Sequence, residues 1–530
     1  MSRSDKQNQI KNEVPFGMVA ILMSEDDNIA ISKNGIVKGT IIKLRDNTIA
    51  IRDTIPKGHR FSLKDIGKGQ PVLQYGYPFG LSTGVRKGQL INKSNVSIYE
   101  TNYKLQISKI FKNKKHINNT IKDRRYINRS FSGYKRCDER VGTRNYYLIV
   151  PTSLCSSDVA VKIAYSFENR VVLKKKYQQL DGIVAAAHTE GCGCNDGEMV
   201  ARLLLTLKNT ILHPNVGGIL IVDLGCEKTN QAVVSEYLGD ISQHKKPIDY
   251  ISIQGLGGTR NALEKGKSII LNRLDEVNSI TREEVSLKYL TIGTECGASD
   301  SFSGITANPL IGLTVDKIIY AGGSAILSET PEMIGAEVNL MKRMVSKEVA
   351  NKFIRGMENY KKLAKKLGVS LDGNFVPSNE SGGLINVSLK SLGAVLKGGS
   401  TPIVDFINYS ERINKQGLNI MNGPGNDLES MTGIVASGAN MMLFSTGMGT
   451  TEGNLIVPVI KLTTRTDIYN RMKDDMDFNA GILLDNDISL DKLSEKLLNF
   501  VIKVASGKKT RSEILEKRSF QIWTAGKLSL

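Results

Sequence analysis

Beyond residue 145 the hydrophobic positions fall into two alternating patterns. Strand-like apolar runs at 147–151, 182–187, 218–224, 250–253, 287–293 and 324–328 are separated by stretches whose apolar positions recur every three or four residues. One such stretch is legible in detail: Met199, Val200, Leu203, Leu204, Leu207 and Ile211 share one helical face, Asn195 or Asp196 is placed to cap it, and His213-Pro214-Asn215 ends it because proline cannot continue a helix. Strand, helix, strand in succession predicts βα units and a mostly parallel sheet. Before residue 98 the pattern is different. Short β-rich runs at 28–31, 35–44, 48–51 and 70–74, punctuated by Gly, Asp and Asn, predict a small all-β module. The expected fold class is therefore α/β, a small N-terminal β domain followed by a large, mostly parallel Rossmann-like body in two subdomains. The divisions predicted are a polar tail at 1–13, the β domain at 14–97, a basic linker at 98–130, and α/β domains at 131–370 and 371–530. Leu490, Leu493, Leu497, Phe500, Val501 and Val504 mark a packing helix near the end.

Charge changes this picture little. The chain has 530 residues and a formal charge of +18, and clustered Lys and Arg are the usual footprint of phosphate binding. Much of the excess sits between 104 and 135 in an Asn- and Ile-rich stretch, which reads as a solvated linker, so no nucleic-acid partner is expected. Six cysteines without paired spacing fit a reducing cytoplasm rather than a disulfide scaffold. No apolar run approaches a membrane span and residues 1–14 are polar, so neither membrane association nor a signal peptide is expected. A homo-oligomer is left open.

The chemistry collects after the strands. Cys155, Cys192, Cys226 and Cys296 each follow an apolar run, and strand exits line the edge at which parallel sheets bind ligands. The four thiols are therefore expected to meet there as metal ligands, although a free cysteine often only fills space. His188, Glu190, Cys192 and Cys194 form the densest cluster, in which thiolate and imidazole suit iron or zinc. Glu227 beside Cys226, and Glu295 beside Cys296 with Asp300 four residues further on, add carboxylates for acid–base work or as hard ligands. His188 is read as the proton carrier, with Glu227 and Asp300 as its catalytic partners, because imidazole titrates near neutral pH. Gly257, Gly258 and Thr259 form a turn before a helix, where exposed amides favour an anion. No dinucleotide fingerprint or Gly-Lys-Ser/Thr phosphate loop occurs, which excludes nucleotide-driven chemistry. Lys390, Lys397 and Asp427 stand in further polar, Gly-rich segments whose lysines suit a carboxylate substrate, and of these Lys390 and Asp427 are read as substrate-binding.

Together these strings resemble the altronate/galactarate dehydratase family. The resemblance rests on His188 to Cys192, His213-Pro214-Asn215, Gly225-Cys226-Glu227, Gly257-Gly258-Thr259, Cys296-Gly297 with Ser299-Asp300, Leu327-Ser328-Glu329 with Pro331-Glu332, Lys390-Ser391-Leu392-Gly393, Pro424-Gly425 with Asp427, and Asn479-Ala480-Gly481. Gly58-His59 with Phe61, and Tyr75-Gly76 with Pro78, resemble the SAF-type β-clip domain that precedes the body in that family. The resemblance implies a hydro-lyase that eliminates water from a sugar acid to give a 2-keto-3-deoxy acid, supported by a divalent metal such as iron, as Fe2+ or an iron–sulfur cluster. The alternatives are sulfolactate sulfo-lyase, which expels sulfite and resembles the same body, and a non-catalytic sugar-acid-binding paralogue. Two departures stand out. Residues 88–95 lack the histidines that relatives carry after a glycine, and Met448 replaces a usual arginine, which would remove a bidentate carboxylate clamp.

Overall fold

The computed structural model of the chain describes residues 13–99, 103–112, 123–168, 175–194, 196–240 and 244–524. All but the last residue of the expected N-terminal tail, the middle of the basic linker, and Asn195 lie outside the described residues.

The N-terminal β-rich runs pair as expected. Ala20–Ile21, Ile29–Ser32, Arg60–Ser62 and Leu90–Ile91 form an antiparallel four-stranded sheet, flanked by the hairpins Ile41–Leu44 with Asn47–Ala50 and Pro71–Gln74 with Tyr77–Ser82. Alternate residues Ile42, Ile49 and Phe61 supply its core. Arg60 is fully buried. It donates to Gln74 Oε1 at 2.9 Å and to the carbonyl of Gly58 at 3.1 Å within its own domain, and to Ser301 Oγ and the carbonyl of Gly383 across the boundary. Burial lowers its pKa to about 10, so the small domain is held on the body by a guanidinium that remains charged at neutral pH.

Part of the predicted linker is not solvated. Tyr103–Lys112 is a helix with Ile107 buried, and Tyr103 donates to Glu337 Oε1 at 2.8 Å while accepting from Lys361 Nζ at 3.0 Å. Its basic residues mask an apolar face in a count of charge alone, because a Lys stem covers apolar surface while its head stays wet.

The body holds two parallel sheets. In the first, β1 (Tyr146–Pro151), β2 (Gly182–Ala185), β3 (Val216–Asp223) and β4 (Ile248–Ser252) lie in the order β2-β1-β3-β4. Every residue of β1 and β3 is buried, which is why these strands read as continuous apolar runs: helices cover both faces. The helix Glu198–Ile211 starts after Gly197, one residue beyond the expected cap Asp196. The second sheet comprises β5 (Thr291–Gly297), β6 (Ser324–Leu327), β7 (Ile403–Ile407), β8 (Leu418–Met421), β9 (Met441–Thr446), β10 (Val459–Thr463) and β11 (Phe478–Asn479), in the order β7-β8-β6-β5-β9-β10-β11. The helix Leu490–Ala505 buries Leu493, Leu497, Val501 and Val504 against the body.

The sequence places a division at 370, yet the seven-stranded sheet takes β5 and β6 from one side of it and β7–β11 from the other. The helical excursion that includes Lys347–Lys366 interrupts the strand pattern without ending the sheet. The two sheets separate between Ser252 and Thr291. From β5 the chain steps to β6 on one side, and after β8 it crosses to β9 on the other. The exit of β5 is therefore a topological switch point, where the carboxyl edge of an open sheet forms a crevice. Among the described residues no helix is long and apolar enough to cross a membrane.

Candidate functional site

At that switch point a set of charged side chains is buried together. β5 ends in Glu295 and Cys296, β6 is followed by Glu329 and Glu332, the segment after β8 reaches Asp427 at the start of the helix Asp427–Ala436, and the helical segment after Val387 brings Lys390 and Lys397. Lys397 has no exposed surface. Its ammonium donates to Cys296 Sγ at 2.8 Å, to Glu332 Oε2 at 3.4 Å and, more closely, to Glu329 Oε2. Lys390 bridges Glu332 Oε1 at 3.0 Å and the carbonyl of Asn374 at 2.7 Å. The Cys296 thiol donates to Glu332 Oε2 at 2.9 Å, and Ser430 Oγ donates to Glu295 Oε2 at 2.7 Å.

Local backbone geometry makes this convergence possible. Glu329 sits at φ 71, in the left-handed region, a strained conformation for a residue with a Cβ and one that clusters at functional sites. A Cβ on Gly297 would stand 2.3 Å from Asp427 Oδ2, so the carboxyl reaches the strand exit only because position 297 is glycine.

Electrostatics divides the acids into two kinds. Burial alone would raise Glu332, but the Lys390 and Lys397 ammoniums outweigh it and hold the carboxylate at about 2. Burial pushes Asp427 up to about 8, with Glu329 and Glu332 adding to the shift, and burial also raises Glu295 well above the carboxylate range. Burial disfavours charge on Lys397, yet Cys296, Glu329 and Glu332 prevail and keep it protonated. Burial raises Glu329 as well, with Glu332 adding to the shift and the Lys397 ammonium opposing it, so the cluster sets one depressed carboxylate, Glu332, and two ammoniums against three acids held above the usual carboxylate range. Carboxyl groups pushed apart in this way are the mark of acid–base assignments.

The donor set also suits a cation. Cys296, Glu329 and Glu332 place ligand atoms within 4.8 Å of one another, as do Glu295, Glu329 and Asp427. The first group already surrounds the Lys397 ammonium. In the second, Glu329 Oε1 is buried with no hydrogen-bond partner, and three carboxyls fit a hard or borderline divalent ion.

Of the residues expected from sequence, the structure brings Glu295, Cys296, Lys390 and Asp427 together here. Asp300 is buried nearby but turns aside, accepting from Ser303 N at 2.9 Å and Thr464 Oγ1 at 3.2 Å, with Arg465 Nε 3.8 Å away. Arg465 follows β10 and pairs through Nε with Asp467 Oδ1 at 3.3 Å as well as with Asp300.

The remaining residues belong to the first sheet. Cys155, Cys192 and Cys226 follow β1, β2 and β3 and are exposed, whereas Cys296 follows β5 of the second sheet. The four thiols therefore do not meet around one ion, because two sheets, not one, carry them. His188 is buried with both ring nitrogens in backbone bonds, Nε2 to the carbonyl of Pro151 at 2.9 Å and Nδ1 to the amide of Glu190 at 3.1 Å, and burial pushes its pKa down to about 4. This neutral ring joins the exits of β1 and β2. Glu227 is a second brace. Burial opposes its charge, but Thr152 Oγ1 at 2.7 Å, Leu224 N at 2.8 Å and Gly225 N at 2.7 Å lower its pKa. Gly257, Gly258 and Thr259 form the turn from β4 into the helix Thr259–Asn278, beside the Cys226 loop.

Glu329, Glu332 and Lys397 were not singled out by spacing. The available signal was an acid pair, Glu329 and Glu332, directly after the short apolar strand at 324–328, and a lysine at the end of an apolar turn.

Residues 18–99 match the altronate/galactarate dehydratase SAF domain, 133–278 the second domain of D-galactarate dehydratase/altronate hydrolase, and 287–528 the C-terminal domain of D-galactarate/altronate dehydratase. The chain belongs to the altronate/galactarate dehydratase family. The dehydratase is 32% identical to the altronate dehydratase of Bacillus subtilis (strain 168) over 96% of this chain and 99% of that protein. It is 31% identical to the galactarate dehydratase (L-threo-forming) of Escherichia coli (strain K12), over 94% of this chain and 95% of the relative. The (2R)-sulfolactate sulfo-lyase subunit beta of Chromohalobacter salexigens is 27% identical, over 74% of this chain and 96% of its own length. As a member of this family the dehydratase is a hydro-lyase for a sugar acid, with the SAF domain and α/β body expected from sequence.

Proposed function

We propose that the dehydratase removes water from an altronate-type aldonate, or from galactarate, to give a 2-keto-3-deoxy acid, and that the buried cluster at the exit of β5 performs the elimination. The observation that carries this reading is the Lys397 ammonium enclosed by Cys296, Glu329 and Glu332 beside a protonated Asp427. A proton alpha to a carboxylate is weakly acidic, so its removal needs positive charge positioned where the enediolate forms. Lys390 and Lys397 supply that charge in a site shielded from water. Glu329, with Oε1 unpartnered, accepts the C2 proton. Asp427, whose proton exchanges near pH 8, donates to the hydroxyl leaving C3; the C–O bond breaks, water departs, and the enol tautomerises to the ketone. Arg465, the guanidinium at the exit of β10, is our candidate for holding a substrate carboxylate in exchange for its Asp467 pair. The first-sheet residues His188 and Glu227 act by positioning the loops at the first rim.

A divalent ion such as iron held by Glu295 and Glu329, with Asp427 keeping its proton, would supply Lewis-acid polarisation of the substrate carboxylate. Ion and protons compete for such side chains, so apparent affinity rises with pH. Six unpaired thiols suit a reducing, cytoplasmic setting.

Dehydration is preferred to sulfite release because the dehydratases align over nearly the whole chain, the SAF domain included. The test is anaerobic incubation with iron and altronate, galactarate or sulfolactate, measuring 2-keto acid and sulfite. Keto acid from altronate or galactarate is expected. Sulfite from sulfolactate without keto acid from either sugar acid would establish the sulfo-lyase, and no product from any of them a binding paralogue.

A further inference from the structure

Beside the acid–lysine cluster lies a cavity of about 460 Å³, a size typical of small-molecule sites. Three of its lining residues border the cluster. Pro331 stands between Glu329 and Glu332 in the chain, Gly425 is two residues before Asp427, and Asn374 accepts from Lys390 Nζ through its carbonyl at 2.7 Å and through Oδ1 at 3.1 Å. The three are neighbours: a Cβ on Gly425 would lie 3.4 Å from Pro331 Cγ and 3.6 Å from Asn374 Oδ1. A chain whose reacting carbons face Lys390 and Asp427 can therefore continue past Asn374 into this cavity.

The walls decide what that chain can carry. Tyr360, Leu363, Ala364, Leu367, Val369 and Trp523 make the lining mostly apolar, and its polar side chains, Ser370, Asn374 and Thr524, are neutral. Among the described residues that line the cavity none is Lys, Arg or His. Arg202 lies against the Trp523 ring at 4.2 Å, but it pairs with Glu198 at 2.7 Å and is outside the lining. Tyr360 stacks on Trp523 with ring centroids 6.1 Å apart, and burial together with Glu429 pushes its phenol up to about 12, so this wall is uncharged as well. An aldonate ends in a neutral hydroxymethyl group and packs its C–H groups on such walls. An aldarate would bury a second carboxylate there with no cation to pair it, at a high desolvation cost. Asn374 supplies the polar contact: with Oδ1 held by Lys390, its Nδ2 is a buried donor without a partner, which a substrate hydroxyl would satisfy.

We propose that this cavity receives the distal end of the substrate and makes the dehydratase selective for monocarboxylate sugar acids, the aldonates, over dicarboxylate aldarates, with Asn374 Nδ2 donating to a hydroxyl of the tail. The proposal rests on the acid–lysine cluster being the reaction site, and it decides between two substrate classes that the elimination itself does not distinguish.

The experiment has a catalytic and a binding arm. Keto-acid formation from altronate and from galactarate gives the ratio of kcat/KM values, and calorimetric titration of each acid into the Asp427→Asn variant, in which turnover is slowed, gives the ratio of affinities. Wild type is expected to favour altronate by roughly 10²-fold or more in kcat/KM, and Asp427→Asn to bind altronate the more tightly. Leu367 is 47% exposed at the cavity mouth, so Leu367→Arg should fold. By placing a cation there, it should move the kcat/KM ratio toward galactarate roughly tenfold, whereas the neutral Leu367→Gln should not. Preferential binding of altronate without keto acid from either substrate would refute the reaction and still support the selectivity of the cavity. Galactarate bound or turned over as well as altronate, binding of neither acid, or equal shifts in Leu367→Arg and Leu367→Gln would each overturn the proposal.

Discussion

Lys397→Met lowers keto-acid formation by roughly 10³-fold or more and destabilises the dehydratase by about 3–5 kcal/mol, the usual cost of removing one partner from a buried ion pair. The size follows from enclosure. Lys397 has no water to share its charge with; Glu329, Glu332 and Cys296 occupy its donor directions. Its removal leaves the two carboxylates facing each other in a low-dielectric setting, and they must take up protons or repel. Lys390→Met provides the comparison. That ammonium also contacts the carbonyl of Asn374 and pairs with only one acid, Glu332, so its loss costs less stability. Thermal melts and kcat on the folded fraction separate the two effects. A Lys397→Met enzyme with near-normal kcat would remove the ammonium from the mechanism.

Asp427→Asn has the second large effect, and its sign depends on pH. Below the unfolded pKa of 3.8 the carboxyl is neutral in both states and contributes no difference. Between 3.8 and about 8 the unfolded chain releases the proton while the folded chain keeps it, so stability falls as pH rises, by about 1.4 kcal/mol per unit at the steepest. Above about 8 that penalty is constant. Asparagine ionises in neither state, so in metal-free protein the variant is more stable than wild type, with an advantage that widens from pH 5 to pH 8 and then levels. Activity moves the opposite way, falling roughly 10²–10⁴-fold for loss of a general acid. The decline in wild-type kcat above pH 8 should also vanish in the variant. Melts at pH 5, 7 and 9 with a pH–rate profile test both parts; a variant less stable at pH 9 would contradict the buried, protonated carboxyl.

The fold was legible where burial leaves a periodic signature. β1 and β3 are apolar throughout because both faces are covered, and Leu493, Leu497, Val501 and Val504 mark their helix by spacing alone. The assignment of strands to sheets was not legible, since the apolar pattern of β5 and β6 is the same whether their neighbours come from residues 146–252 or 403–479. That ambiguity explains the site. Reading one sheet placed Cys155, Cys192, Cys226 and Cys296 around one centre, and two sheets separate them. It also gave His188 the proton, because an imidazole in a Gly- and Cys-rich loop looks reactive in sequence, whereas burial and two backbone bonds hold it neutral. Lys390 and Asp427 were recognisable from their polar, Gly-rich segments. Lys397 was not selected, because a buried lysine and a surface lysine look alike until the acids around it are placed.

The central claim is that the acid–lysine cluster of the second sheet, not the histidine at the first, moves the protons. Its most direct measurement is 2-keto-3-deoxy acid formation from the preferred sugar acid by wild type, Glu329→Gln and His188→Gln under the same anaerobic conditions with iron. Glu329→Gln keeps the side chain's shape but gives up the charge that pairs with Lys397, so turnover is compared on the folded fraction, where it should fall roughly 10²–10⁴-fold; folded His188→Gln should retain the larger share of activity. Undiminished turnover in Glu329→Gln, with loss confined to His188→Gln, would contradict the account.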